Sequence, residues 1–178
     1  MITVISDDAR QGVGRQLKAA LERMGERPAY FDLSSMDIRP CTGCGSCSGR
    51  TLGHCVQKDD MLQILDALKR GQTWALVSPV VFGTCSPAAR RFQERTCTLA
   101  DPRYYLSAGE LVKGYGRLGG HFHAVGVLGD DSPADAGAFL ALHRENIRIM
   151  NCQGQAFVLP AQPQDIQIDQ VAEAMRHG

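Results

Sequence analysis

Short apolar runs alternate along this chain with segments whose apolar positions recur every three to four residues, the pattern of strands interleaved with amphipathic helices. Residues 2–5, Ile-Thr-Val-Ile, form the first run, and the segment after it places Val13, Leu17, Leu21 and Met24 on one helical face. Residues 29–33 predict a second strand. Beyond a cysteine-rich loop, Asp59 can cap a helix that carries Met61, Leu62, Leu65 and Leu68 on one side. Residues 74–78 predict the third strand, 124–128 the fourth and 155–159 the fifth. Ser86-Pro87 and Ser132-Pro133 each join a capping residue to a first-turn proline. The first pair precedes a helix running towards Cys97, and the second precedes Phe139, Leu140, His143 and Ile147. Ile168, Val171, Ala172 and Met175 form the stripe of a last helix.

Strands alternating with helices require an α/β fold, a parallel sheet covered on both faces and joined by right-handed crossovers. At 178 residues the chain is long enough for one core, burying about 70% of its unfolded surface. Residues 1–178 read as a single domain, without repeat, low-complexity tract or linker. In an open parallel sheet, ligands bind beyond the carboxyl ends of the strands, where adjacent crossovers leave in opposite directions. Segments 6–14, 79–86 and 129–132 occupy those positions. Segment 99–120 is glycine-rich, carries Tyr104 and Tyr105 and has no clear periodicity. It is either a long crossover loop or an oligomer contact.

Candidate chemistry concentrates in the loop at 41–55, where Cys41, Cys44, Cys47 and Cys55 follow the spacing Cys-x2-Cys-x2-Cys-x7-Cys. Three thiols at successive three-residue steps, with a fourth from the same loop, resemble the runs that encircle an iron–sulfur cube. Gly43 and Gly45 permit the positive φ and the close N–H approach that such a wrap needs. Zinc is the lesser alternative, because its sites more often use two separated Cys-x2-Cys pairs. Seven cysteines in a reducing compartment do not make a disulfide framework. Cys85, Cys97 and Cys152 stand apart and read as small buried hydrophobes. Lys plus Arg, 19, equals Asp plus Glu, 19, which gives no electrostatic basis for a nucleic acid or an anionic membrane as main partner. No apolar run approaches the roughly 20 residues that span a bilayer, and no signal pattern opens the chain. The expectation is a cytoplasmic protein with a small-molecule or protein partner.

Several motifs in order carry a family resemblance: Asp32-Leu33, Pro40-Cys41-Thr42-Gly43-Cys44-Gly45-Ser46-Cys47, Cys55-Val56, Asp59-Asp60-Met61, Ser78-Pro79-Val80-Val81-Phe82-Gly83 and Glu94-Arg95-Thr96. Together they resemble the NAD(P)H-dependent FMN reductases of flavodoxin-like fold, and specifically the iron–sulfur flavoproteins among them. The resemblance covers residues 1–96 and continues weakly to the end. It implies a three-layer sandwich on a five-stranded parallel sheet of strand order 2-1-3-4-5, with FMN at the switch point and a [4Fe–4S] cluster in the loop after the second strand. By matching positions, Cys41, Cys44, Cys47 and Cys55 would be the cluster ligands. Pro79, Val80, Val81, Phe82 and Gly83 would line the isoalloxazine, Gly12, Val13 and Gly14 would offer N–H groups to the phosphate, and Gly129 would follow the fourth strand at the cofactor. The resemblance also implies a homodimer or homotetramer, with NAD(P)H or a protein as electron donor.

Three departures from the family pattern bear on the flavin. Ser6-Asp7-Asp8-Ala9-Arg10-Gln11-Gly12-Val13-Gly14 sets two carboxylates near the expected dianion unless Arg10 or Arg15 folds over it. Val81 stands where the family often has tyrosine, and Gly129-Asp130-Asp131-Ser132 replaces a glycine pair. Asp7-Asp8 also resembles the acidic pair of receiver domains, but Ser78-Pro79 supplies no third-strand carboxylate, and a solvated cap is the plainer reading. His121 and His123 share a face as an edge-strand pair, and Arg90 and Arg91 lie on a helix surface. The leading expectation is an FMN-dependent oxidoreductase or electron-transfer iron–sulfur flavoprotein. The alternative is a flavodoxin-fold protein without FMN, serving as a cluster- or metal-binding electron carrier or interaction module.

Overall fold

The computed structural model describes residues 1–8, 11–112, 120–129 and 133–177. Five parallel strands carry the molecule: β1 (Ile2–Ser6), β2 (Ala29–Asp32), β3 (Thr73–Val81), β7 (His121–Leu128) and β8 (Ala156–Pro160). They lie in the order β2-β1-β3-β7-β8, which is the expected 2-1-3-4-5 when only these five are counted. Two short additions were not anticipated. Strand β4 (Thr84–Cys85) folds back antiparallel on the end of β3, and β5 (Tyr105–Ser107) pairs with β6 (Glu110–Val112) as a separate ribbon. That ribbon occupies the segment expected to be a crossover loop or an oligomer contact.

Helices α1 (Val13–Arg23) and α5 (Asp165–His177) cover one face of the sheet, closing a core around Val4, Leu17, Val77, Val125 and Val171. Helices α2 (Met61–Arg70), α3 (Pro87–Arg95) and α4 (Pro133–Met150) cover the other, over Ile5, Leu76, Phe92, Phe122 and Phe139. Strands buried on both faces read as continuous apolar runs, and every residue of β1 is buried. Trp74 stacks on Phe122 with centroids 3.8 Å apart and meets Phe92 edge-on. Leu62 is 40% exposed, because the buried stripe of α2 starts at Met61 and runs through Ile64, Leu65 and Leu68. Ser86 caps α3 as expected, its Oγ accepting from Ala89 N. The cap expected at Ser132 lies outside the described residues.

Strand β7 is internal, between β3 and β8, so His121 and His123 are not an edge pair. His123 is buried beside the Phe157 ring, and neither ring nitrogen has a partner among the described residues. His143, on α4, is also buried and donates from Nε2 to Phe122 O at 3.0 Å. Burial pushes both rings down to about 4, helped at His123 by the neighbouring His121 and His143.

The cysteine loop leaves the sheet after β2 and returns at α2, and its two ends are pinned together. Asp37 N donates to the Asp60 carboxylate and Asp60 N to Asp37 O, while Gln57 Nε2 reaches Pro40 O at 3.0 Å. At the centre, Arg95 from α3 meets Asp59 through two bonds of 2.5 and 2.9 Å and also donates to Arg39 O. The Arg95 and Asp59 side chains are 1% and 0% exposed. Burial raises the Asp59 carboxyl, but the bonds from Arg95 and Arg39 N outweigh it and hold it below the ordinary carboxylate range. Arg91, exposed on the helix surface as expected, also adds a bond from Nε to Ile38 O.

Removing one member of a buried pair leaves an uncompensated charge. Asp59→Asn should therefore destabilise the protein by about 3–5 kcal/mol in urea denaturation and open residues 40–58 to proteolysis; unchanged stability would refute the role given to the pair. For the histidines, the unfolded chain takes up protons near pH 6.5 and the fold only near 4. Their contribution is complete above pH 6.5 and declines as the pH falls towards 4. Denaturation at pH 4.5 should show a loss of roughly 2–3 kcal/mol per histidine relative to pH 7. His123→Leu should remove one such increment.

Candidate functional site

Two places at the carboxyl end of the sheet bring the expected site residues together. The first is the cysteine loop. Gly43 and Gly45 adopt φ of +63° and +67°, the left-handed turns that glycine accepts most readily, and Gly45 leads into a short 3-10 turn at Ser46–Ser48. Cys41, Cys44, Cys47 and Cys55 all line one cavity of about 190 Å³, together with Arg95, Cys97 and Thr98. Cys97 was not expected there. It comes from the turn after α3, and its Sγ lies 3.9 Å from that of Cys47.

The electrostatics of this cavity favour a thiolate at Cys44. Ser46 N–H, the Ser46 hydroxyl and Thr42 hold the exposed Cys44 thiol below its ordinary range. The Arg95 guanidinium stands beside Cys55, and its buried Nε–H finds no hydrogen-bond partner among the described residues. By contrast, burial pushes the Cys152 thiol up to about 11 and raises Cys85 as well, which suits the inert packing role expected of those two.

Among the described residues no three His, Cys, Asp or Glu groups converge closely enough to hold a single ion. A zinc site needs all its ligands at about 2.0–2.3 Å from one point. A cubane instead distributes four thiolates over four irons, so it does not require its four cysteines to meet at one point.

The second place is the mouth of β1 and β3. Asp7 N donates to Val77 O at 2.9 Å, and the Asp7 carboxylate accepts from the Ser86 hydroxyl. Asp8 turns inward and is 1% exposed. Its two carboxylate oxygens accept from Gly14 N at 3.3 and 3.2 Å, Val13 N–H is also turned to them, and the Ser6 hydroxyl donates to Oδ1. Gly12 N donates to Asp8 O at 2.9 Å. All three N–H groups expected to hold a flavin phosphate are therefore engaged by Asp8. Burial raises the Asp8 carboxyl above its ordinary range, against the pull of these bonds. Arg15 lies 3.7 Å from Asp32, and Ala9 and Arg10 lie outside the described residues. The phosphate end of FMN does not fit this arrangement.

The ring segment is differently placed. Val80 is buried in the core, so its side chain does not line an open site, whereas Pro79 and Val81 are half-buried. Phe82 and Gly83, with φ of +49° and +73°, form the two-residue turn from β3 into β4, the geometry of a type I′ hairpin. A Cβ on Gly83 would stand 2.6 Å from Ala138 Cβ, so the turn is pressed against α4, and the Phe82 ring is left 94% exposed. Gly129 is exposed at the end of β7, and Asp130, Asp131 and Ser132 lie outside the described residues.

Sequence reasoning missed Arg95 and Cys97 as members of the cavity. The available signal was a charge on an apolar stripe, since Ala89, Phe92 and Arg95 recur at three-residue steps and all are buried.

No protein-family model matches the sequence. An iron–sulfur flavoprotein of Archaeoglobus fulgidus is 33% identical over 75 residues, covering 42% of this chain and 33% of that protein. An iron–sulfur flavoprotein of Methanocaldococcus jannaschii is 26% identical over 133 residues, covering 67% of this chain and 68% of that protein. The match thus spans only a third of the first relative's length. Among solved structures, an azoreductase from Bacillus anthracis superposes with a TM-score of 0.64 at 9% identity, covering 99% of both chains. The chain accordingly has a flavodoxin-like fold, and its sequence is similar to those of iron–sulfur flavoproteins.

Proposed function

We propose that this chain is an oxidoreductase of the iron–sulfur flavoprotein type, moving electrons from NAD(P)H or a reduced protein to an acceptor. The observation that carries the reading is the single cavity lined by Cys41, Cys44, Cys47 and Cys55 and closed by the buried Arg95. Those cysteines would hold a [4Fe–4S] cluster, which when bound supplies one-electron transfer. The chain's own part is to hold the sulfurs in place around the cavity. Arg95 places a positive charge beside Cys55, Ser46 N–H favours the Cys44 thiolate, and the pinned neck at 37–40 and 57–60 limits how far the loop can open. At the strand ends, the exposed Phe82 ring with Pro79, Val81 and Gly83 would form the face offered to an isoalloxazine.

A second reading, a cluster-bearing electron carrier without flavin, is favoured by the engagement of Asp8 where the flavin phosphate would sit. The similarity to flavoproteins supports the first. A homodimer or homotetramer is supported by the β5–β6 ribbon, which exposes Leu106 and Leu111 beside the exposed Tyr104 and Tyr105. No helix among the described residues is long and apolar enough to cross a membrane. A reducing cytoplasm would keep the seven thiols free for metal.

Anaerobically purified or reconstituted protein should contain about four irons and four sulfides per chain and show a broad brown absorption. Replacing Cys41, Cys44, Cys47 or Cys55 by Ser should abolish it, whereas Cys97→Ser should retain iron. A colourless protein holding zinc would overturn the cluster, and flavin quantified on the same sample separates the two readings. Light scattering coupled to size exclusion should show a multimer that Leu106→Glu combined with Leu111→Glu reduces in mass.

A further inference from the structure

The start of α1 is a seat for one anion, because free N–H groups and the helix dipole converge there. In this chain the seat holds the chain's own carboxylate. Asp8 draws Gly14 N–H and Val13 N–H to its side chain and Gly12 N–H to its backbone oxygen. The seat is also tightly closed. A Cβ on Gly14 would stand 2.3 Å from Ser6 Oγ and 3.2 Å from Asp8 Oδ1, so Gly14 serves the close approach of Ser6 and Asp8. Asp7, held by Ser86, adds a second carboxylate next in sequence. An incoming phosphate would have to displace a buried, hydrogen-bonded carboxylate and then face two acidic groups.

The turn at Phe82 and Gly83 uses none of the Asp8 contacts, since it is set by β4 pairing and by packing against α4. A ligand can therefore be recognised there through its ring while its phosphate is refused at α1. We propose that Asp8 is a built-in substitute for the flavin phosphate and a specificity-determining residue, so that the site takes a flavin without a phosphate, the riboflavin class, in preference to FMN. The inference rests on the flavin reading of the preceding section.

Quenching of flavin fluorescence tests it, with riboflavin and FMN titrated into the whole chain and into Asp8→Asn and Asp8→Ser, all at matched iron content. The wild-type protein should bind riboflavin more tightly than FMN by on the order of tenfold to a hundredfold, the scale of one carboxylate's repulsion at a partly buried site. Both variants should gain FMN affinity by a similar factor. Asp8→Asn keeps the shape and an acceptor for Gly14 N–H, so it remains a fair test where Asp8→Ser does not fold. FMN binding the wild type as tightly as riboflavin would overturn the inference while leaving the flavin reading intact. A riboflavin preference that both variants retain would also overturn it, by removing Asp8 from the cause. No binding of either flavin to any of the three proteins would overturn the inference and the flavin reading together.

Discussion

The buried contact between Arg95 and Asp59 is the constraint on which the position of the cysteine loop depends. A guanidinium and a carboxylate removed from water regain their solvation only through nearly complete hydrogen bonding. Arg95 meets both carboxylate oxygens and Arg39 O, and Asp59 also accepts from Arg39 N and Met61 N. This demand fixes three segments at once: the end of α3, the start of α2 and the chain leaving β2. The loop at 41–55 hangs from that junction, so its thiols line a cavity whose far wall is Arg95 with Cys97 and Thr98. The fold supplies the platform and one ion pair supplies the aim.

The sheet was legible because its chemistry is local to each strand. Strands covered on both faces become uninterrupted apolar runs, and five such runs separated by helix-period segments permit few topologies. Errors fell where polar residues are buried inside those runs. Thr73, His121 and His123 belong to β3 and β7, yet each breaks the apolar pattern that marks a strand's start. The β5–β6 ribbon escaped for the opposite reason. Its strands of three residues each are too short to establish a period, and of their apolar side chains Tyr105, Leu106 and Leu111 are exposed while Val112 is buried.

The candidate site was legible only where its residues are close in sequence. The thiol spacing and the left-handed glycines could be read directly. Cys97 and Arg95 could not, because they reach the cavity from the end of α3 and the turn after it, fifty positions after Cys47 in the case of Cys97, and spacing carries no information across that distance. The acidic pair shows a finer limit. Both carboxylates were visible at 7 and 8, but period-two alternation alone does not say which turns inward. That depends on Ser86 being available to Asp7 and on the N–H groups of α1 being available to Asp8.

The two buried ionic groups differ in what balances them, and the difference explains why one end of the molecule is fixed and the other responsive. Arg95 is neutralised by Asp59, so its unused Nε–H contributes direction to the cavity without leaving a bare charge. Among the described residues the close hydrogen-bond partners of Asp8 are neutral donors, and burial raises its carboxyl against their pull. A charge held only by dipoles is the easier one to protonate or displace. Whatever anion or flavin approaches α1 therefore competes with a carboxylate that the fold tolerates at a cost, whereas any group entering the cysteine cavity meets a cation that the fold has locked in place.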